Sequence, residues 1–240
     1  MRILALDSSG LVASVALVEE EQLIAEYTIN YKKTHSQTLL PMLDEIVKMT
    51  QIALSTIDAI AVAGGPGSFT GLRIGSATAK GLGFALQKPL IHIPTVEALA
   101  YNLYGNHQVI CPIMDARRNQ VYTGIYEFHE NQFRVMQDQK ALAVEEIIKE
   151  LNLLGREVIF IGDGIPPYKE LIQEQITVPY SFAPAHLCRQ RAGAVGMLGV
   201  QYYKQGKIET ATEHQPDYLR LSQAEREMQE KMKEKAECHE

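Results

Sequence analysis

Short apolar runs, each stopped by turn-forming residues, open the chain. Ile3-Leu4-Ala5-Leu6 runs into Asp7-Ser8-Ser9-Gly10, Val12–Val18 into Glu19-Glu20-Glu21, and Leu23–Ile29 follows. Runs this short, broken by Gly, Ser and Asp, predict three strands (2–7, 12–18 and 23–29) joined as an antiparallel meander. The period then changes. Leu39, Leu43 and Ile46 recur at helical spacing, flanked by Leu40, Met42, Val47 and Met49. This predicts a helix over 35–50 whose apolar arc covers about half the circumference, wider than one core requires. Pro41 belongs in its first turn or at a kink.

A strand over 57–63 leads into Gly64-Gly65-Pro66-Gly67-Ser68-Phe69-Thr70-Gly71-Leu72-Arg73-Ile74-Gly75, followed by a helix to about Leu86. A short strand, 89–93, and a helix from Thr95 to Tyr104 complete a first half that ends at Gly105-Asn106-His107. The second half repeats the order: strands at 109–114, 121–128 and 133–137, a helix over 144–153, a strand over 158–161 ending at Gly162-Asp163-Gly164, and a helix near 186–204. Similar element order in both halves predicts two related α/β lobes. The lobes span 1–105 and 106–222, the last segment being able to pack back on the first lobe. Residues 223–240 form a tail of alternating charge.

The chain has 240 residues, 46% hydrophobic and 22% charged, as in ordinary globular domains. No apolar run reaches the roughly 18 residues a membrane helix needs, and the N-terminus does not read as a secretory signal, so the expected location is the cytoplasm. Cys111, Cys188 and Cys238 are too scattered for a disulfide framework or a zinc motif. Acidic residues outnumber basic ones 29 to 23, and the net charge is −6. The close basic pairs are Lys32-Lys33 and Arg117-Arg118. Such a chain is not expected to hold RNA by itself, because phosphate backbones are bound by clustered Lys and Arg.

The glycine-rich 64–75 segment joins a strand to a helix, a place where backbone amides can approach an anion. It lacks the Gly-Lys-Ser/Thr of a P-loop and the spaced glycines of a dinucleotide fold. A tight turn with a closely packed helix fits it equally. Asp7 and Gly162-Asp163-Gly164 likewise read either as phosphate-site positions or as turn chemistry. Gly71, Gly75, Gly81 and Gly83 each cost about 1 kcal/mol relative to Ala in a helix, so contacts from elsewhere must hold this helix. Gly71, Gly75 and Ala79 form a small-residue face that docks a partner helix or is buried within the subunit. With Leu39, Leu43 and Ile46 they are the candidate partner interface. No two of the seven histidines are four residues apart and no His-Glu-x-x-His or Gly-x-Ser-x-Gly is present, so neither a metal site nor a catalytic residue is assigned.

Ile3–Ser9, His35 with Leu39-Leu40-Pro41, Gly65–Gly75 with Ala79–Leu82, Asp115-Ala116-Arg117 with Val121-Tyr122, and Pro216–Arg220 together resemble the TsaB (YeaZ) family. The resemblance covers nearly the whole chain to about Glu227. It implies a two-lobed actin/Hsp70/sugar-kinase-like (ASKHA) α/β fold with mixed sheets flanked by helices. It implies a non-catalytic role beside a TsaD-type catalytic subunit that modifies the adenosine next to the anticodon of tRNA. A TsaE-type ATPase joins that assembly and tRNA is met only through the complex; in isolation the resemblance leaves open a monomer or a homodimer through the same helices. The fold's phosphate loops correspond to Asp7, Gly65, Gly67, Ser68, Gly162 and Gly164. The family frame lacks a competent ATPase site, so no cofactor is expected, with weak nucleotide binding left open. An ATP-dependent phosphotransferase of the same superfold, and more remotely a metallopeptidase, are the competing functions.

Overall fold

Two strand-rich halves build the molecule, and the second repeats the element order of the first with one short extra strand, Met114–Asp115. The computed structural model describes residues 1–31 and 34–220; the proposed tail at 223–240 and the Lys32-Lys33 pair lie outside the described residues. The first half contains β1 (Arg2–Asp7), β2 (Ala13–Glu19), β3 (Gln22–Ile29), α1 (His35–Thr50), β4 (Ala59–Gly65), α2 (Phe69–Leu86), β5 (Leu90–Pro94) and α3 (Thr95–Tyr101). The second contains β6 (Val109–Pro112), β7 (Met114–Asp115), β8 (Gln120–His129), β9 (Gln132–Ala143), α4 (Val144–Leu154), β10 (Val158–Ile161), α5 (Ile165–Gln175), β11 (Tyr180–Phe182) and α6 (Ala192–Lys204).

The first sheet has the order β3-β2-β1-β4-β5, antiparallel through the meander and parallel from β1 to β5. In the second, β9 pairs β8, β8 pairs β6, and β6 continues in parallel through β10 to β11. This is the same topology with β6 in the place of β1. Alternation along the buried strands sorts side chains to two faces. In β1, Leu4 and Leu6 meet α1 and α2 on one side, while Ile3 and Ala5 face a central layer. That layer holds α3 and α6 and joins both sheets into one core with Tyr126 and Phe128 of β8. The helices α4 and α5 cover the outer face of the second sheet.

Four elements depart from the sequence expectation. Helix α5 begins at Ile165-Pro166-Pro167, where consecutive prolines suggest a loop. They occupy its first turn, where a missing N–H breaks no intrahelical bond. Strand β11 has three residues, too few to show a period. Helix α6 starts at Ala192 rather than near 186, because Arg191 is held extended. Its guanidinium pairs with Glu26 of β3 (Nε to Oε2, 3.1 Å). Strand β9 runs to Ala143 rather than 137. Half of its residues are polar and only Leu142 is buried, which hides the alternation, as an edge strand allows.

Cross-braces tie the lobes together. The Gln139 side chain of β9 donates to the Gly65 carbonyl (3.0 Å) and accepts from Val96 N (3.4 Å). Asn102 donates to the carbonyls of Leu187 (3.1 Å) and Arg189 (2.7 Å). Residues 207–220 then return as a strap along the first lobe: Glu209 forms a two-bond antiparallel bridge with Leu90, and Asp217 N donates to the Gly64 carbonyl (2.7 Å).

Candidate interlobe cleft and partner interface

The turns that leave β1, β4 and β10 converge on one cleft of about 520 Å³ between the lobes. Ser9, Gly10, Gly67 and Ser68 line it from the first lobe, Asp115 and Asp163 from the second. The strap crosses its wall with Asp217, Tyr218, Leu219 and Arg220. Tyr218 lies against Phe69 (centroids 4.7 Å apart), and Arg73 stacks over the Phe69 ring at 4.0 Å. The Arg220 guanidinium donates to the Ala116 and Arg117 carbonyls, which fastens the strap to the second lobe. Arg117, Arg118 and Asn119, between β7 and β8, have φ of 67°, 55° and 57°. Three successive non-glycine residues in the left-handed region cost roughly 1–2 kcal/mol each, so this rim loop is strained.

Of the candidate phosphate-loop residues, Gly67 and Ser68 line the cleft and Asp7, Gly65, Gly162 and Gly164 do not; most of their polar groups are engaged within the chain. Ser68 N donates to the Ser9 carbonyl (2.7 Å), and Ser68 Oγ accepts from Gly71 N (3.3 Å), a normal helix cap. A side chain at Gly67 would strike the Ser9 carbonyl. Gly65, at φ 122°, packs against the Asp217 carbonyl of the strap. Gly164 N donates to the Ile113 carbonyl (2.7 Å) and Gly162 N to Cys188 Sγ (3.3 Å). Both therefore serve the turn after β10. Asp163 remains on the cleft wall; burial raises its pKa, while Asp115 N and Arg189 at 3.8 Å pull it back.

Asp7 is fully buried and is not on the cleft wall. Its Oδ1 accepts from Ser9 N (2.9 Å) and Ser9 Oγ (2.7 Å), which is the turn-capping arrangement. Oδ2 has no hydrogen-bond partner. Burial pushes its pKa up to about 6 against the pull of the Ser9 hydrogen bonds and the His35 ring.

The six residues expected at a partner interface require a correction. Leu39, Leu43 and Ile46 are 1%, 6% and 4% exposed and pack against the chain's own sheet with Leu4, Leu6 and Val15. Gly71, Gly75 and Ala79 are buried too. Gly71 seats α2 on the Ser8 carbonyl, and Gly75 seats it on Ser8 Oγ, only 2.5 Å from where a Cβ would lie. The small residues thus serve close helix-to-sheet packing inside the subunit. The outward faces carry different residues. Leu40, Met49 and Phe84 are 52%, 77% and 63% exposed, and Ala77 and Gly81 lie open between turns of α2. Phe84, Ala77 and Gly81 share the outward side of α2, whereas Leu40 and Met49, nine residues apart, lie on opposite flanks of α1. The sequence signal for them was the excess width of the α1 arc, whose flanks Leu40 and Met49 are the exposed part.

Comparison with known proteins agrees with this geometry. The family model described as TsaD: tRNA N6-adenosine threonylcarbamoyltransferase matches residues 22–228. The tRNA threonylcarbamoyladenosine biosynthesis protein TsaB of Bacillus subtilis (strain 168) is 35% identical over 232 residues, covering 94% of this chain and 96% of that protein. The Escherichia coli (strain K12) protein of the same name is 30% identical over 224 residues, covering 92% and 95%. The structure of YeaZ from Pseudomonas aeruginosa superposes with a TM-score of 0.79 at 29% identity, covering 91% of this chain and 99% of that one. A duplicated two-lobed frame around a cleft, matched by the TsaD model, defines an ASKHA-type protein. Within that class, the chain belongs to the TsaB family. Among the described residues, no helix is long and apolar enough to cross a membrane.

Proposed function

We propose that this protein acts in the cytoplasm as the non-catalytic subunit of the assembly that installs threonylcarbamoyl on the adenosine beside the tRNA anticodon. The family membership supports the pathway. The single observation that supports the non-catalytic role is the state of the cleft. The amides of Ser68, Gly164 and Gly162, which an anion would need, are bonded within the chain, and the strap lies on Gly65. A buried donor that already has a partner gains little by exchanging it for a phosphate. Nucleotide binding is therefore weak at most, and no cofactor is held. Chemistry belongs to a TsaD-type partner, a TsaE-type ATPase joins the complex, and tRNA is met through them, in keeping with the net charge of −6.

The docking surface is the outward face of α1 and α2. Phe84 supplies the apolar anchor, and the exposed Ala77 and Gly81 beside it on α2 admit a close helix. Alone, the chain pairs with a second copy through the same face. The test is co-purification with a TsaD-type subunit, followed by threonylcarbamoyl transfer to tRNA. Ala77→Arg with Phe84→Asp is expected to weaken pairing at least 100-fold while leaving the thermal midpoint within a few degrees, since both sites are exposed. Unchanged co-purification would remove the interface assignment. Transfer by this chain in the absence of its partner would remove the non-catalytic role.

A further inference from the structure

Beneath the strap, three chemically suited side chains from separate parts of the fold meet. His92 comes from β5, and Glu209 and His214 from the strap. One ring nitrogen of each histidine and a carboxylate oxygen of Glu209 all lie within 4.8 Å of one another. His214 is fully buried; its Nδ1 contacts Glu209 Oε1 at 2.6 Å. Its Nε2 is buried without a hydrogen-bond partner, and the same holds for Nε2 of His92. Asp217 Oδ2 lies 3.3 Å from His92 Nε2 but does not form a hydrogen bond with it. That separation is close to the edge of a tetrahedron whose metal–ligand bonds are about 2.05 Å.

Two orphaned imidazole nitrogens at one place are costly in a dry site, and proteins leave few such groups unsatisfied. The Nδ1 contact to Glu209 assigns a donor proton to Nδ1 and leaves the Nε2 lone pair to meet a ligand. A carboxylate fixing the tautomer in this way is the usual support for a metal-binding histidine. His92 is held flat against Gly64, whose Cβ would overlap the ring, so its orientation is set before any ligand arrives.

We infer that His92 and His214, the latter oriented by Glu209, form a site for a divalent transition-metal ion of the zinc class, which staples the strap to β5. Imidazole nitrogen with carboxylate oxygen suits zinc, whereas calcium and magnesium take oxygen ligands. Asp217, more than half exposed, is placed to supply a further oxygen from the solvent side. The ion would hold the strap where Asp217 covers Gly65 and Tyr218–Arg220 wall the cleft. Its role is thus to fix the cleft's shape, not to act on a substrate.

The probe is zinc chloride added to the untagged, chelator-stripped full chain, followed by equilibrium dialysis with elemental analysis. One zinc per chain is expected at micromolar affinity, and cobalt(II) should show the visible absorption of a four-coordinate site. His214→Ala removes a fully buried ring and risks unfolding, so the informative variants are His92→Ala and Glu209→Gln. Each should weaken zinc at least 10-fold and remove the cobalt band, with an unchanged far-UV circular dichroism spectrum. Failure of the wild-type chain to saturate at tens of micromolar zinc overturns the site. So does equal affinity in both variants, which would place binding elsewhere. Neither result depends on the partner subunit.

Discussion

Gly75→Leu and Gly71→Leu are expected to destabilise the isolated chain by about 3 kcal/mol or more, because both positions seat α2 on the turn after β1. At Gly71 a side chain would enter the space of the Ser8 carbonyl, and at Gly75 it would meet Ser8 Oγ at 2.5 Å. Ser8 Oγ also donates to the Gly71 carbonyl at 2.8 Å. Lifting α2 to relieve the clash therefore breaks a buried hydrogen bond as well. Even alanine at Gly71 is expected to be a net loss. Its propensity gain of about 1 kcal/mol cannot offset displacement of a helix from a backbone oxygen. Gly81, on the same helix, gives the opposite sign. No atom lies within 4 Å of its added Cβ, so Gly81→Ala should stabilise by about 0.5–1 kcal/mol. Urea midpoints of the four variants decide it. A wild-type midpoint for Gly75→Leu would show that α2 is not seated as described.

That contrast explains what could be read before the fold was known. Periodicity located β1, α1, β10 and the meander almost to the residue, because β1, β2, α1 and β10 each keep a buried face and turn residues bound β3. It could not assign the side of α2. A small-residue stripe arises whenever a backbone comes close, and it is identical whether that backbone belongs to a partner or to Ser8 of the same chain. Helix α5 was hidden by prolines that are harmless in a first turn, and β11 by its three-residue length. The strap was visible as the Pro216–Arg220 motif, but nothing local announced that it recrosses the cleft. The histidine cluster is the clearest case. His92 and His214 are far apart in sequence, and metal motifs are recognised by short spacing. The juxtaposition depends on Glu209 pairing with Leu90, a long-range contact that no window of residues contains.

Asp7→Asn is expected to raise stability at pH 8 by up to about 3 kcal/mol and to change it little near pH 4. The folded chain holds the Asp7 proton up to a pKa of about 6, whereas the ordinary value is 3.8. Between those values the folded state binds more proton than the unfolded state, so stability falls as pH rises. The contribution is intact below 3.8 and lost above about 6, where the buried charge costs roughly 1.4 kcal/mol per pH unit of difference. Desolvation causes it: the carboxylate is fully buried, and Ser9 satisfies one oxygen while Oδ2 has no partner. Asparagine keeps an acceptor for Ser9 N and Oγ and carries no charge at any pH. The check is a set of urea midpoints for both proteins between pH 4 and 8. The wild-type curve should decline through pH 6, with the variant lacking that component. Parallel curves would mean that the carboxylate is hydrated and that the base of the cleft is open to water. A flattened curve would identify Asp7 as a charge the fold carries at a cost below the turn that lines the cleft.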